Sequence, residues 1–167
     1  MILGLSTSAF TGVHVAISLV GIVSGLVVLA CLLRGQTAAG WTATFLATTV
    51  ATSATGFFFH SVAIGPPHIV GGLSLAVLGL ALWAIYSRNL AGAWRRVYVI
   101  CAVAALYLNV FVGVVQAFQK IPPLHSLAPN GSEPPFLIAQ ALTLIAFIAL
   151  GVLAVRRFRN ARLLTAP

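Results

Sequence analysis

Four histidines are the residues whose type and placement could do chemistry in this chain: His14, His60, His68 and His125. Imidazole is the commonest transition-metal ligand and the usual axial ligand of haem. We expect His14 near the outer end of a first helix, His60 at the end of a second and His68 at the start of a third, with His125 in a loop. Two or three of these rings could hold a b-type haem, copper or zinc. His60 and His68 flank one hairpin and are the first ligand candidates, with His14 next.

The spacing of the histidines matches no standard ligand motif, since the chain has no HxxxH, HExxH or CxxCH. Three interpretations stay open: the histidines bind a metal or haem, they line a pocket for a quinone or another small molecule, or they anchor helix ends at the membrane interface. Cys31 and Cys101 form no CxxC pair and are expected to be packing residues. No serine nucleophile motif or paired carboxylate is present, so a hydrolase is not expected and no catalytic residue is assigned.

Helical spacing predicts that the histidines on helices point into a bundle. Residues three or four apart share a helix face, and small or hydroxyl residues mark faces where membrane helices approach one another. Three such faces are His14, Ser18, Gly21 and Gly25; Thr49, Ser53, Gly56 and His60; and His68, Gly72, Leu75 and Gly79. The second helix, rich in Thr and Ser, is expected to lie well inside the bundle.

A second set of polar residues is predicted to line a pocket beneath the outer surface. Asn109 and Gln116 share a face of the fourth helix, and Gln140 lies near the outer end of the fifth. The loop that contains His125 and Glu133 would cover this pocket. The pocket-lining candidates are therefore Asn109, Gln116, Gln140 and Glu133, and His125 is a further candidate metal ligand.

Five long apolar runs contain these residues and predict the architecture. They cover residues 11–33, 41–60, 67–87, 94–119 and 135–155, and each is near the ~20 residues that a helix needs to cross the hydrocarbon core. Hydrophobic residues make up 60% of the chain and charged residues 6%, with a mean hydropathy of +1.09. We predict one integral membrane domain over residues 1–167, an all-α bundle of five transmembrane helices in a lipid bilayer.

The basic residues predict the topology of the bundle. The chain has nine basic residues and one acidic residue, Glu133, and eight of the nine fall on one side of an alternating five-span arrangement. By the positive-inside rule that side is cytoplasmic, which places the N-terminus outside and the C-terminus inside the cell. Anionic lipid explains these charges better than nucleic acid, because the arginines are spread over separate loop edges.

Two stretches of the sequence resemble a known set of proteins. They are ALYLNVFVGVVQAFQKIPPLHSLAPNGSEPPF at 105–136 and TATFLATTVATSATGF at 42–57. Together they resemble a family of small, uncharacterised multi-pass inner-membrane proteins of proteobacteria, over roughly residues 41–159. The resemblance implies a multi-pass inner-membrane protein and brings no activity with it.

Two functional hypotheses follow from these patterns. The first is a small inner-membrane protein with an outer-leaflet histidine pocket that binds haem b or a transition metal. The alternative is a non-catalytic accessory or assembly subunit, which packs against a larger membrane complex or against itself. The small-residue faces favour the alternative, because five helices have more of them than their own packing requires.

Overall fold

The computed structural model describes residues 4–59 and 65–159, and this part of the chain is an all-α bundle, as predicted. Its α-helices are α1 (Thr7–Leu33), α2 (Ala39–Gly56), α3 (Pro66–Leu82), α4 (Trp94–Lys120), α5 (Pro122–Leu127) and α6 (Pro134–Arg159). A π-helical turn, Trp83–Ser87, extends α3. The loop predicted over 121–133 contains α5. His60, one of the first ligand candidates, lies outside the described residues.

Four helices in the described part of the chain are long and apolar enough to cross a membrane. They are Thr7–Leu33, Pro66–Ser87, Trp94–Lys120 and Pro134–Phe158. These helices support the predicted multi-pass membrane protein. The other long helix, α2, has 18 residues but is not among the four. Its Thr and Ser side chains lower its hydropathy below that of its neighbours.

Local signals in the sequence explain where the helices begin and end. The Ser6 hydroxyl accepts a hydrogen bond from the Ala9 N–H at 3.2 Å, which caps α1. Pro66 opens α3, Pro122 follows the end of α4 and Pro134 opens α6, because proline suits a first helical turn and cannot continue a helix. Gly35, with φ of +71°, allows the chain to turn sharply after α1.

The centre of the bundle is α4, and not α2 as the Thr and Ser content suggested. Helix α4 packs against α1, α3 and α6, while α2 packs between α1 and α3. The buried residues of α4 run from Tyr98 to Asn109, with Phe118 near its end. Helix α6 lies at the edge of the bundle, and its buried side chains, Ala154 and Phe158, are confined to its last turns.

The two ends of the bundle differ in chemistry, and we name them by their side chains. At the arginine end, α1 and α6 finish, α2 and α4 begin, and the guanidinium of Arg88 lies 5.1 Å from the Trp94 ring centroid. At the histidine end, α2 and α4 finish and α1, α3 and α6 begin. The largest fully buried side chains near the arginine end include Tyr98, Phe45, Phe158, Leu32 and Leu46.

Candidate functional site

His14 occupies the contact between α1 and α2 at the histidine end. Its ring is half-buried, and its Nδ1 lies 2.8 Å from the Thr55 hydroxyl oxygen. The ring of Phe59 packs edge-on against His14, with 5.1 Å between centroids, and Phe10 also packs edge-on against Phe59 at 5.2 Å. The prediction that His14 points into the bundle is confirmed by these contacts.

The hydroxyl of Thr55 has two close contacts, with the Ala51 carbonyl at 2.7 Å and with His14 Nδ1 at 2.8 Å. When its one proton is donated to the Ala51 carbonyl, its oxygen accepts a hydrogen bond from the Nδ1–H of His14. In that tautomer the Nε2 of the neutral ring has its lone pair available for a ligand. Histidines that bind metals generally donate their other ring N–H in this way, which fixes the ring and raises its basicity.

His68 has the opposite arrangement in the first turn of α3. The Gly65 N–H donates to His68 Nδ1 at 3.3 Å, so the proton of the neutral ring is on Nε2. This contact satisfies a backbone donor at the start of α3, as a capping residue does. The ring also packs edge-on against Phe57, with 5.7 Å between centroids. In this geometry neither ring nitrogen of neutral His68 presents a lone pair to a metal.

The two helical histidines lie on opposite sides of the C-terminal end of α2. His14 contacts Thr55 and Phe59, whereas His68 contacts Phe57. His125 is exposed on α5. Among residues 4–59 and 65–159, no three His, Cys, Asp or Glu side chains are grouped closely enough to hold a metal ion.

The small-residue face of α1 packs closely against α2 and α4, as predicted. Ser18 donates to the His14 carbonyl at 2.8 Å and lies 3.4 Å from the Thr52 hydroxyl. A methyl group at Gly21 would lie 3.0 Å from Asn109 Nδ2 and 3.2 Å from Thr49 Oγ1. Polar groups of three helices therefore meet at Gly21.

The small-residue face predicted for α3 is wrong by one residue. A methyl group at Gly72 or Gly79 would have no atom within 4 Å, whereas one at Gly71 would lie 3.1 Å from the Phe57 ring. Ser74, not Leu75, faces α2 and accepts a 2.9 Å hydrogen bond from the Ser53 hydroxyl. The face of α3 that meets α2 is determined by the packing of Phe57 against Gly71. The spacing of residues within α3 alone could not reveal that contact.

The predicted pocket-lining residues take separate partners. Asn109 is buried, and its Nδ2 lies 3.5 Å from the Ser18 carbonyl of α1. Gln140 donates instead to the Phe111 carbonyl of α4 at 3.2 Å, which joins α6 to α4. Gln116 is exposed. Asn109 and Gln140 therefore connect helices, the role that polar amides commonly have in membrane bundles.

Glu133, the fourth of these residues, organises the loop before α6. One carboxylate oxygen accepts hydrogen bonds from the Asn130 backbone and side-chain N–H groups at 3.0 and 2.8 Å, and the other accepts from the Ser132 N–H at 3.0 Å. Desolvation opposes ionisation, but the hydrogen bonds together outweigh it and lower the pKa of Glu133 to about 2. The carboxylate is therefore ionised and part of a turn at neutral pH.

Sequence reasoning missed a groove between α4 and α6, on the arginine-end half of the bundle. Its volume is about 470 Å³, and its lining includes Ile100, Tyr107, Ile148, Gly151 and Arg156. Small residues on α6 opposite α4 were the available signal, since Gly151 is a position where the two helices approach closely.

Comparisons of this chain with family models, with curated proteins and with solved structures find no match in any of the three. The roles of the residues described above therefore follow from their geometry alone.

Proposed function

We propose that this chain is a five-span protein of a bacterial inner membrane, and that its histidine end binds a transition-metal ion through His14 Nε2. Four spans are supported directly by length and hydropathy. For α2 the support is connectivity: α1 finishes at the arginine end and α3 begins at the histidine end, so the chain between them must cross the bilayer. The 18 residues of α2 extend about 27 Å, near the ~30 Å thickness of the hydrocarbon core. The arginines favour a cytoplasmic arginine end and an outer N-terminus.

The observation that supports the metal site is the hydrogen bond between His14 and Thr55. It leaves Nε2 as the acceptor nitrogen of a half-buried, oriented ring. His60 is the proposed second ligand, because it directly follows Phe59, whose ring packs against His14. His68 ranks below His60 because the Gly65 N–H occupies its Nδ1. His125, exposed on α5, is a further proposed ligand.

A metal ion is favoured over haem b by the size of the site. Haem needs a large cavity beside its axial histidine, and the 470 Å³ groove described above lies in the other half of the bundle. An ion needs only converging ligand atoms, which the end of α2 could bring together. Haem b stays the second choice of cofactor, and a quinone pocket has no further support from the contacts of these histidines.

The alternative function is a non-catalytic accessory or assembly subunit. It is compatible with α6, whose outer face is apolar and exposed, with Ile138, Leu142 and Ile145 each more than half exposed. Such a face suits lipid, a second copy or a larger membrane complex equally well. Co-purification under mild detergent conditions is the observation that would favour this function.

Metal content tests the proposal. The protein purified in mild detergent is analysed for metals and by absorption spectroscopy, and the metal-free protein is then titrated with Zn²⁺, Cu⁺ or haemin. We expect stoichiometric binding of one metal, loss of it in His14→Ala and a roughly 10- to 100-fold weaker affinity in Thr55→Val, which keeps the shape of the side chain but removes the acceptor. His125→Ala is the matched loop variant and should lose less.

The outcomes separate the two functions. Retention of full affinity in His14→Ala contradicts the metal site. A colourless, metal-free wild type that titrates with neither ion, and that co-purifies with a partner, supports the accessory subunit instead.

A further inference from the structure

The groove between α4 and α6 has a closed floor and an open outer side. A methyl group at Gly151 would lie 3.3 Å from Val103 Cγ1, so the two helices touch along the floor. Ile100 and Ile148, which line the walls, are each 57% exposed. The volume of about 470 Å³ falls within the range of roughly 300–1,000 Å³ that is typical of small-molecule sites.

The length of the groove matches one leaflet of a bilayer. Along α6 the lining runs from Leu144 to Arg156, which is about 18 Å at 1.5 Å per residue. Half of the ~30 Å hydrocarbon core is about 15 Å. The groove therefore extends from near the middle of the membrane to the arginine end, and its lining is apolar except for Tyr107 and Arg156.

The charge at the end of the groove has no acidic side chain of this chain to balance it. Arg156 is exposed at the groove's outer end. The only acidic residue is Glu133, which binds Asn130 and Ser132 before the start of α6, at the opposite end of the bundle. An anion that binds Arg156 therefore cannot be an acidic side chain of the same molecule. At the edge of a bilayer the abundant anion is a lipid phosphate.

We propose that this groove binds one anionic phospholipid, with an acyl chain between α4 and α6 and its phosphate on the Arg156 guanidinium. A guanidinium offers paired donors that match two phosphate oxygens. The apolar walls exclude polar ligands, and the single cation at the end selects a negative headgroup. A second copy of the chain could cover the same walls, but in a parallel copy its one acidic residue, Glu133, lies at the end of the bundle opposite Arg156.

Lipid binding to purified protein tests this site. Phosphatidylglycerol and phosphatidylcholine with the same acyl chains are added to delipidated protein, and bound lipid is counted by native mass spectrometry. We expect one phosphatidylglycerol to bind in preference to phosphatidylcholine, and Arg156→Gln to reduce its affinity about fivefold, the equivalent of ~1 kcal/mol for one arginine at a membrane surface. Arg157→Gln is the matched control, since it removes the same charge from the next residue, outside the groove lining.

A second pair of variants tests the acyl chain. Ala104 lines the groove, so Ala104→Phe should fill it and lower the binding of both lipids, whereas Ala141→Phe adds the same ring to an exposed position outside the lining and should change neither. Equal losses in Arg156→Gln and Arg157→Gln would show unspecific attraction and overturn the proposal. So would full binding by Ala104→Phe, or a dimer that forms without lipid and is lost in that variant.

Discussion

The arginine end and the histidine end are built from the same kinds of helix but are held together differently. Near the arginine end, Phe45, Leu106 and Tyr98 are almost fully buried, and Phe45 and Leu106 enclose the close approach of α1 at Gly25. At the histidine end, His14 and His68 are half-buried; His14 contacts the Thr55 hydroxyl of α2, and His68 accepts a hydrogen bond from the Gly65 N–H at the start of α3. The comparison indicates that apolar packing holds one end together, while polar and aromatic side chains make the contacts at the other.

The physical reason for this difference lies in how hydroxyl groups behave in a membrane helix. Several Thr and Ser side chains here donate to a carbonyl of their own helix, as Thr48 does to Thr44 and Thr55 to Ala51, so these hydroxyls add little between helices. Contacts between helices then depend on a few pairs, such as Ser53 with Ser74. Because lipid is as apolar as the helices, close packing is the stronger source of stability.

The largest expected effect tests the packed end. A methyl group at Gly25 would lie 2.6 Å from Leu106 Cδ1 and 2.9 Å from the Phe45 ring, so Gly25→Ala must push α1 away from α2 and α4. We expect it to lower the free energy of unfolding by about 1–3 kcal/mol, measured by SDS-induced unfolding in mixed micelles. Gly72→Ala, with no atom near its added methyl, should be neutral or slightly stabilising. Equal effects of the two changes would mean that α1 does not approach α2 as described.

A smaller effect is expected where the two halves meet, at Asn109. This buried amide links α4 to the Ser18 carbonyl of α1. Asn109→Ala should lower the free energy of unfolding by about 0.6–1.7 kcal/mol, the range found for hydrogen bonds between membrane helices. Gln116→Ala removes an exposed amide from the same helix and should leave stability unchanged in the same assay. A larger loss of stability in Gln116→Ala than in Asn109→Ala would mean that the Gln116 side chain has a hydrogen-bond partner.

Two hydroxyl variants should change stability in opposite directions. Thr49 is buried, and its hydroxyl oxygen has no hydrogen-bond partner, so Thr49→Val removes an unsatisfied group at constant shape and should stabilise by up to ~1 kcal/mol. Ser53→Ala loses the bond to Ser74 and should destabilise by about 0.6 kcal/mol. Both are read from the same unfolding titration. If Thr49→Val destabilises the protein instead, the Thr49 hydroxyl has a hydrogen-bond partner and belongs to the group of polar contacts around Gly21.

The sequence predicted the helices well because prolines, interfacial tryptophans and apolar length act locally. The runs at 94–119 and 135–155 became Trp94–Lys120 and Pro134–Arg159. The packing face of α1 from His14 to Gly25 was also predicted, because the helical repeat within α1 is enough to show which residues share a face. The π-helical turn Trp83–Ser87 and α5 were not, because neither repeats a pattern long enough to identify.

The candidate site was harder to predict, because it depends on which helix faces meet. The difference between His14 and His68 comes from the Thr55 hydroxyl and the Gly65 N–H, which lie on other elements or in the preceding turn. The one-residue error in the face of α3 had the same origin in Phe57. The α4–α6 groove depends on the contact of Gly151 with Val103. The residue spacing within either helix does not predict this contact, because it joins two different helices.

The smallest expected effect concerns the loop at the histidine end and appears only in acid. The folded pKa of Glu133, about 2, lies below the ordinary value of 4.5, so its turn gains stability that is complete above pH 4.5 and is lost as the pH falls toward 2. NMR titration of the carboxyl carbon should give a midpoint near 2, and the assignment is direct because Glu133 is the only acidic side chain. Over the same interval the Asn130 side-chain amide should move to its solvent-exposed shift, while Glu133→Gln should show that shift at every pH. A midpoint near 4.5 would mean that the carboxylate does not accept these hydrogen bonds, and that the loop before α6 is less ordered than the helices it joins.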